Sequence, residues 1–223
     1  ERVMTMNTNK ARFNMIEQQI RPWDVLDQDV LDLLMVVKRE EFVPAAYKNL
    51  AFIDTEIPVP CGENMLTPKL EARLLQAAAV RKHENVLEIG AGSGYMAALL
   101  AHKARHVTSV EIEPELQALA EKNLADYGVT NVKVALGDGA QGWISAHAPY
   151  DVIMISGSLP VLPDAFLQQI KIGGRIIGVI GEAPIMHAEM ITRMSDTAFN
   201  TIKLFETNIK PLRNALTPSH FTF

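Results

Sequence analysis

A single cysteine, Cys61, stands among 223 residues, so no internal disulfide can form and the lone thiol fits a reducing compartment such as the cytoplasm. No apolar run approaches the roughly eighteen residues needed to span a bilayer, and no secretory signal is visible, so no membrane partner is expected. Basic residues are in deficit: 21 Lys and Arg against 26 Asp and Glu leave a formal net charge of −5. They are also scattered, which removes the electrostatic footprint of a nucleic-acid binder. No metal is expected, because His102 and His106 have no third ligand near them in sequence. There is no internal repeat and no low-complexity tract. With 48% hydrophobic and 21% charged residues, the composition is that of a globular protein able to bury a sizeable core. One compact unit is expected, with residues 1–80 as helices and a substrate-side segment packed on a main domain over 81–223. Glu1 to Thr5, ahead of Met6, read as vector-derived or as an alternative start.

Asn85 to Glu111, NVLEIGAGSGYMAALLAHKARHVTSVE, reads as strand, glycine loop, helix, strand. Glycines at 90, 92 and 94 allow tight turning and close backbone approach to a ligand, since none carries a Cβ. A helix starting near Tyr95 leaves its first N–H groups unpaired beside that loop, which suits an acceptor-rich ligand. The second strand, His106 to Val110, ends on Glu111, where a carboxylate can accept from two ribose hydroxyls. A dinucleotide fingerprint is excluded, because the third glycine comes one residue early and Tyr95 takes its packing position. No phosphate-cradling Walker loop is present either. A third strand, Val132 to Leu136, runs into Gly137-Asp138-Gly139. The expected ligand is a nucleoside.

Along the rest of the chain, Phe13, Ile16 and Ile20 predict a helix over Ala11 to Ile20 that Pro22 ends. Asp27 caps a second helix to about Lys38, with Val30, Leu31, Leu34 and Val37 on one face. Both are expected to cover the main sheet. A proline-interrupted segment, Tyr47 to Glu63, is either a cleft wall or a surface loop. Thr67-Pro68 starts a helix to about Val80, its hydroxyl as the cap, and Pro114 opens another that Gly128 ends. Further strands are expected over Tyr150 to Ile155 and Arg175 to Ile180, with a helix from Asp164 to Lys171 between them. His187 to Met194 and Thr201 to Asn208 then form an antiparallel edge hairpin.

The pattern E-x-G-x-G-x-G at Glu88, Gly90, Gly92 and Gly94 resembles the first motif of class I methyltransferases that use S-adenosyl-L-methionine. The order of the stretches FVPAAYKNLAFIDTEIPVPCGENMLTPK, VLEIGAGSGYMAALLA, VEIEPEL, GDGAQGW, APYDVIM and IKIGGRIIGVIG resembles the protein-L-isoaspartate O-methyltransferase family. That resemblance implies an α/β, Rossmann-like sheet of about seven strands, mostly parallel with an antiparallel edge hairpin and preceded by helices. It implies S-adenosyl-L-methionine as cofactor and methylation of the carboxylate of a damaged isoaspartyl residue, a protein repair activity. On the cofactor side it assigns the loop Glu88, Gly90, Ala91, Gly92, Ser93 and Gly94 to the methionine part. Glu111 is assigned to the ribose, and Asp138 with Gly139 to the adenine.

On the substrate side it marks Asn64, Met65, Ser156 and Asn208. The family's serine, two residues before the proline of G-x-x-x-S-x-P, is replaced by Leu66. The family's late arginine, ahead of a Pro-Leu pair, is replaced by Asn208 before Pro211-Leu212. Thr67, next to Leu66, is the alternative hydroxyl, although helix capping competes for it.

A carboxylate is ionised at neutral pH, with a reference pKa near ~4, so its methylation needs no general base and no protein nucleophile. Positioning carries the rate. The two departures lead to an expectation of isoaspartyl turnover lowered by ~10² to 10⁴ fold. The Asn/Asp-Pro-Pro-aromatic pattern of nucleobase-amine methyltransferases is absent, since that place reads Ser156-Gly157-Ser158-Leu159. Three functions stay open: an isoaspartyl repair enzyme, a methyltransferase of the same fold acting on another carboxylate or small molecule, and a cofactor-binding relative acting through a partner. A monomer is favoured.

Overall fold

The computed structural model describes residues 2–218, with side chains from residue 7 onward; the origin of Glu1 to Thr5 involves side chains outside the described residues. Helix α1 spans Arg2–Met15 and runs on through a π-helical stretch, Ile16–Ile20, into a 3-10 turn, Arg21–Trp23. The helix thus begins earlier than its apolar spacing predicts. Pro22 does not end it but lies at the start of the 3-10 turn, where a missing N–H costs nothing. Reversal comes at Asp24, in the left-handed region at φ 62°. Helix α2, Gln28–Val36, is capped as expected, Asp27 accepting from the N–H of Asp29. It ends before Lys38 because Val37 is extended and buried, while the Lys38 N–H donates to the Tyr127 hydroxyl.

The proline-interrupted segment forms a small hairpin. Strands β1 (Ile57–Pro58) and β2 (Asn64–Met65) pair antiparallel around a turn at Pro60–Gly62. Helix α3 (Pro68–Ala78) follows, ended by Ala79 in the left-handed region. Thr67 holds the N-cap position, yet its hydroxyl makes no cap bond. Then come β3 (Asn85–Ile89), α4 (Tyr95–Lys103), β4 (His106–Glu111), α5 (Pro114–Tyr127) and β5 (Val132–Leu136). The chain finishes with β6 (Tyr150–Leu159), α6 (Asp164–Gln169), β7 (Ile170–Glu182), β8 (Ile185–Arg193) and β9 (Phe199–Thr207).

One seven-stranded sheet is ordered β5-β4-β3-β6-β7-β8-β9. Strands β3 to β7 run parallel, and β8 and β9 close the edge antiparallel. Successive strand residues divide between two cores, as a period of two requires. Val86, Val107, Val152 and Met154 pack with helices α2 to α5, and Leu87, Ile89, Ile153 and Ile155 pack with Phe166 of α6. Helix α2 reaches the sheet mainly through α3 and α4, on which it packs and which themselves face strands.

Strand β6 runs past Ile155, where the sequence predicts its end, because β7 pairs with Ser158 and Leu159 and a later segment bonds Ser158 from the other side. The Ser158 N–H donates to the Lys210 carbonyl and the Leu212 N–H to the Ser158 carbonyl. Strand order reverses between β3 and β6, and in such sheets ligands bind outside the carboxyl ends of the strands at that point. Among the described residues no helix is long and apolar enough to cross a membrane.

Candidate active site

At that reversal lies a cavity lined by the carboxyl ends of β3, β4 and β6 and the loops that follow them, the place where small-molecule sites of such sheets form. Its floor is the loop after β3. Gly92, at φ +54°, would meet nothing within 4 Å if it carried a Cβ, so the loop presents bare backbone to open space. Gly94 differs from its neighbours. At φ +91°, a Cβ added to it would stand 3.3 Å from the Ala120 carbonyl on α5, and it serves helix packing rather than the cavity lining. Tyr95 is buried against Phe42 at 5.6 Å between ring centroids.

Three acids line the sheet side of the cavity at successive depths. Glu88 is fully buried, and its two oxygens accept from the hydroxyls of Ser109 at 2.7 Å and Ser156 at 2.8 Å. Burial, with help from Glu71 and Glu111 nearby, pushes its carboxyl up to about 8 against the pull of those hydroxyls. Among the described residues no cation pairs with it. Glu111 accepts one backbone N–H on each oxygen, from Gly92 at 3.0 Å and Glu113 at 3.1 Å. Each oxygen therefore keeps a lone pair for a further donor, and burial pushes this carboxyl up as well. Asp138 accepts from the Ala140 N–H at 3.0 Å and from the Asn214 carboxamide at 3.1 Å. Beside it, a Cβ on Gly139 would stand 2.8 Å from Ile89, so only glycine fits.

The opposite wall is the β1–β2 hairpin and the start of α3, which supply Glu56, Glu63, Asn64, Met65, Leu66 and Glu71. Behind Leu66, Arg39 is buried. Its guanidinium donates to the Leu66 carbonyl at 2.9 Å and pairs with Glu71 at 2.5 Å. Burial pushes the Glu71 carboxyl up against the pull of Arg39. The third wall is Lys210 to Arg213, tied to the hairpin through Arg213, which bonds Glu63, Glu113 and the Cys61 carbonyl.

A family model described as protein-L-isoaspartate(D-aspartate) O-methyltransferase matches residues 9–214. The chain belongs to that family. A Koribacter versatilis protein-L-isoaspartate O-methyltransferase is 37% identical over 201 residues, covering 90% of each chain. One from Rhodopseudomonas palustris is 37% identical over 202 residues, covering 90% of this chain and 92% of its own. A solved protein-L-isoaspartate O-methyltransferase superposes with a TM-score of 0.75 at 26% identity, over 92% of this chain and 65% of that one. The fold recurs in a Plasmodium falciparum structure at TM-score 0.76 and 19% identity, over 91% and 98%. The family uses S-adenosyl-L-methionine, and this chain is a methyltransferase dependent on it. The geometry fits that cofactor independently of the likeness, with a buried carboxylate lacking a cation, bare glycine backbone and an acid with two spare acceptor positions.

Of the residues marked in the sequence, Glu88, Gly90, Ala91, Gly92, Ser93, Glu111, Asp138, Gly139, Asn64, Met65, Leu66 and Ser156 all line this cavity. Two do not. Thr67 lies outside the lining, and Asn208 lines an adjoining cavity instead. Sequence reasoning missed Glu71, Lys210 and Arg213. Two cations flanking Pro211-Leu212 were the available signal for the last pair.

Proposed function

We propose that the protein is an S-adenosyl-L-methionine-dependent O-methyltransferase acting, as a cytoplasmic monomer, on a carboxylate of a protein or peptide. Bound at this site, the cofactor supplies an electrophilic methyl on a sulfonium. The observation that carries the reading is the sheet side of the cavity, where Glu88, Glu111 and Asp138 surround bare glycine backbone, with the cations Lys210 and Arg213 on another wall beside Glu63. A cationic, hydroxyl-rich cofactor suits the first group and an anionic acceptor the second. The acceptor oxygen takes the methyl carbon, so a C–O bond forms as the C–S bond breaks and the electron pair leaves on sulfur. No proton moves, because a carboxylate acceptor is already ionised. Glu111 would hold the ribose hydroxyls, and the Glu88 end the methionyl group.

Transfer of labelled methyl from the cofactor to peptide carboxylates, read as base-labile ester, tests this reading. Glu111→Ala is expected to raise the cofactor Kd about 10 to 150 fold, by removal of a charged acceptor; an unchanged Kd in calorimetry would move the ribose elsewhere.

The state of Glu88 predicts a pH dependence. Its folded pKa, about 8, lies above its ordinary value of 4.5, so the free protein keeps a proton there that the unfolded chain releases. This stability contribution is present below 4.5 and is lost as pH rises through 8. A methionyl ammonium beside Glu88 favours the ionised form, so binding at pH 6 to 7 is expected to expel up to one proton. Affinity then rises by as much as about tenfold per pH unit until 8. Calorimetry in buffers of different ionisation enthalpy reads the proton directly; no proton release, in both the wild type and Glu88→Gln, would refute the assignment.

A further inference from the structure

The second cavity meets the first at the hairpin wall, and five residues line both: Glu56, Asn64, Lys210, Pro211 and Leu212. Lys210 is the one cation among those five. Its ammonium has three N–H donors, of which one reaches the Gly62 carbonyl at 2.8 Å and another Glu63 at 3.2 Å. One donor is left over. The other cation of the inner cavity, Arg213, bonds Glu63, Glu113 and the Cys61 carbonyl and does not line the second cavity.

The root of Lys210 is fixed as well. Its carbonyl accepts from the Ser158 N–H at 3.1 Å, and the preceding Ile209 carbonyl accepts from the Ser158 hydroxyl at 3.0 Å. Ser158 lies two residues beyond Ser156, which bonds Glu88, so the lysine is anchored to the strand that floors the cofactor cavity. Asn208, Ile209 and Lys210 all line the second cavity, with Ile209 buried and the other two exposed. A cation absent from position 208 is therefore present two residues further along the same wall.

We propose that Lys210 is the acceptor-positioning residue. An acceptor arriving through the second cavity meets its ammonium at the junction, and the remaining N–H holds one carboxylate oxygen while the other faces the cofactor. This rests on the carboxylate reading given above. Without Lys210 the junction would present only the Glu56 carboxylate as a charge, which repels the same acceptor.

The test compares binding of an isoaspartyl peptide and its neutral carboxamide analogue to the protein loaded with S-adenosyl-L-homocysteine. Wild type is expected to prefer the carboxylate by at least about tenfold, Lys210→Met to lose that preference, and Lys210→Arg to recover most of it. An unchanged melting temperature of Lys210→Met guards against a general collapse of the wall. Equal preference in wild type and Lys210→Met, or none in wild type, overturns the proposal. A preserved, Lys210-dependent preference without any methyl transfer would instead count against the proposed function alone.

Discussion

Replacing Arg39 by methionine is expected to destabilise the protein by about 3–5 kcal/mol, because it leaves Glu71 as a buried charge without its partner. Both side chains are almost wholly removed from water, at 1% and 5% exposure, so solvent cannot take over the pairing. The guanidinium also bonds the Leu66 carbonyl and lies 4.9 Å from the Tyr95 ring centroid. Most of the loss should be recoverable. An apolar replacement for a buried ion pair is often neutral, so Arg39→Met with Glu71→Leu should stand closer to wild type than Arg39→Met alone. Urea unfolding of the two variants decides. If the double variant is no more stable than the single one, the cost arises from the Leu66 and Tyr95 contacts and not from an orphaned carboxylate.

Turnover of an isoaspartyl peptide by the unmodified chain is expected to be about 10 to 150 fold below that of a family member carrying the serine, corresponding to one missing donor to a charged acceptor at ~1.5–3 kcal/mol. This is smaller than the sequence alone predicts. Counting Asn208 as a lost arginine doubled the deficit, but Lys210 and Arg213 restore positive charge to the mouth of the cavity. Leu66, which lines the cavity at the family's serine position, is the loss that remains. Leu66→Ser should therefore raise kcat/KM on the isoaspartyl peptide by most of that factor. Thr67 is not expected to substitute, although its hydroxyl makes no cap bond, since it lies outside the cavity lining. Full turnover by the wild type, or no gain in Leu66→Ser, would sink the account.

The cofactor side was legible in the sequence because its parts are local. Glu88, the glycine loop and Glu111 fall within one strand-loop-helix-strand unit, and short-range backbone chemistry dictates where each carboxylate ends. The hairpin edge was legible for the same reason, from period-two runs over β8 and β9. What escaped was set by contacts distant in sequence. Strand β6 lengthens because Ser158 and Leu159 pair with Val179 and Ile180 on one side and Ser158 bonds Lys210 and Leu212 on the other, and no property of Gly157-Ser158-Leu159 announces that. Glu71 looks like an ordinary polar residue in the first turn of α3 until Arg39 is brought against it across 32 positions. The unused cap at Thr67 shows the converse, a local signal for which Pro68 and the helix packing sufficed.

Arg213 joins the hairpin to the carboxyl-terminal segment across 150 positions of chain, and this long span bears on how the protein is made. Closing so wide a loop pays its entropy before its contacts return anything, so such contacts form late in folding. The sheet and its acids can be assembled while the cavity still lacks a wall. Cofactor retention is then a readout of completed folding: a molecule that holds its ligand has already brought together the two most widely separated parts of its site.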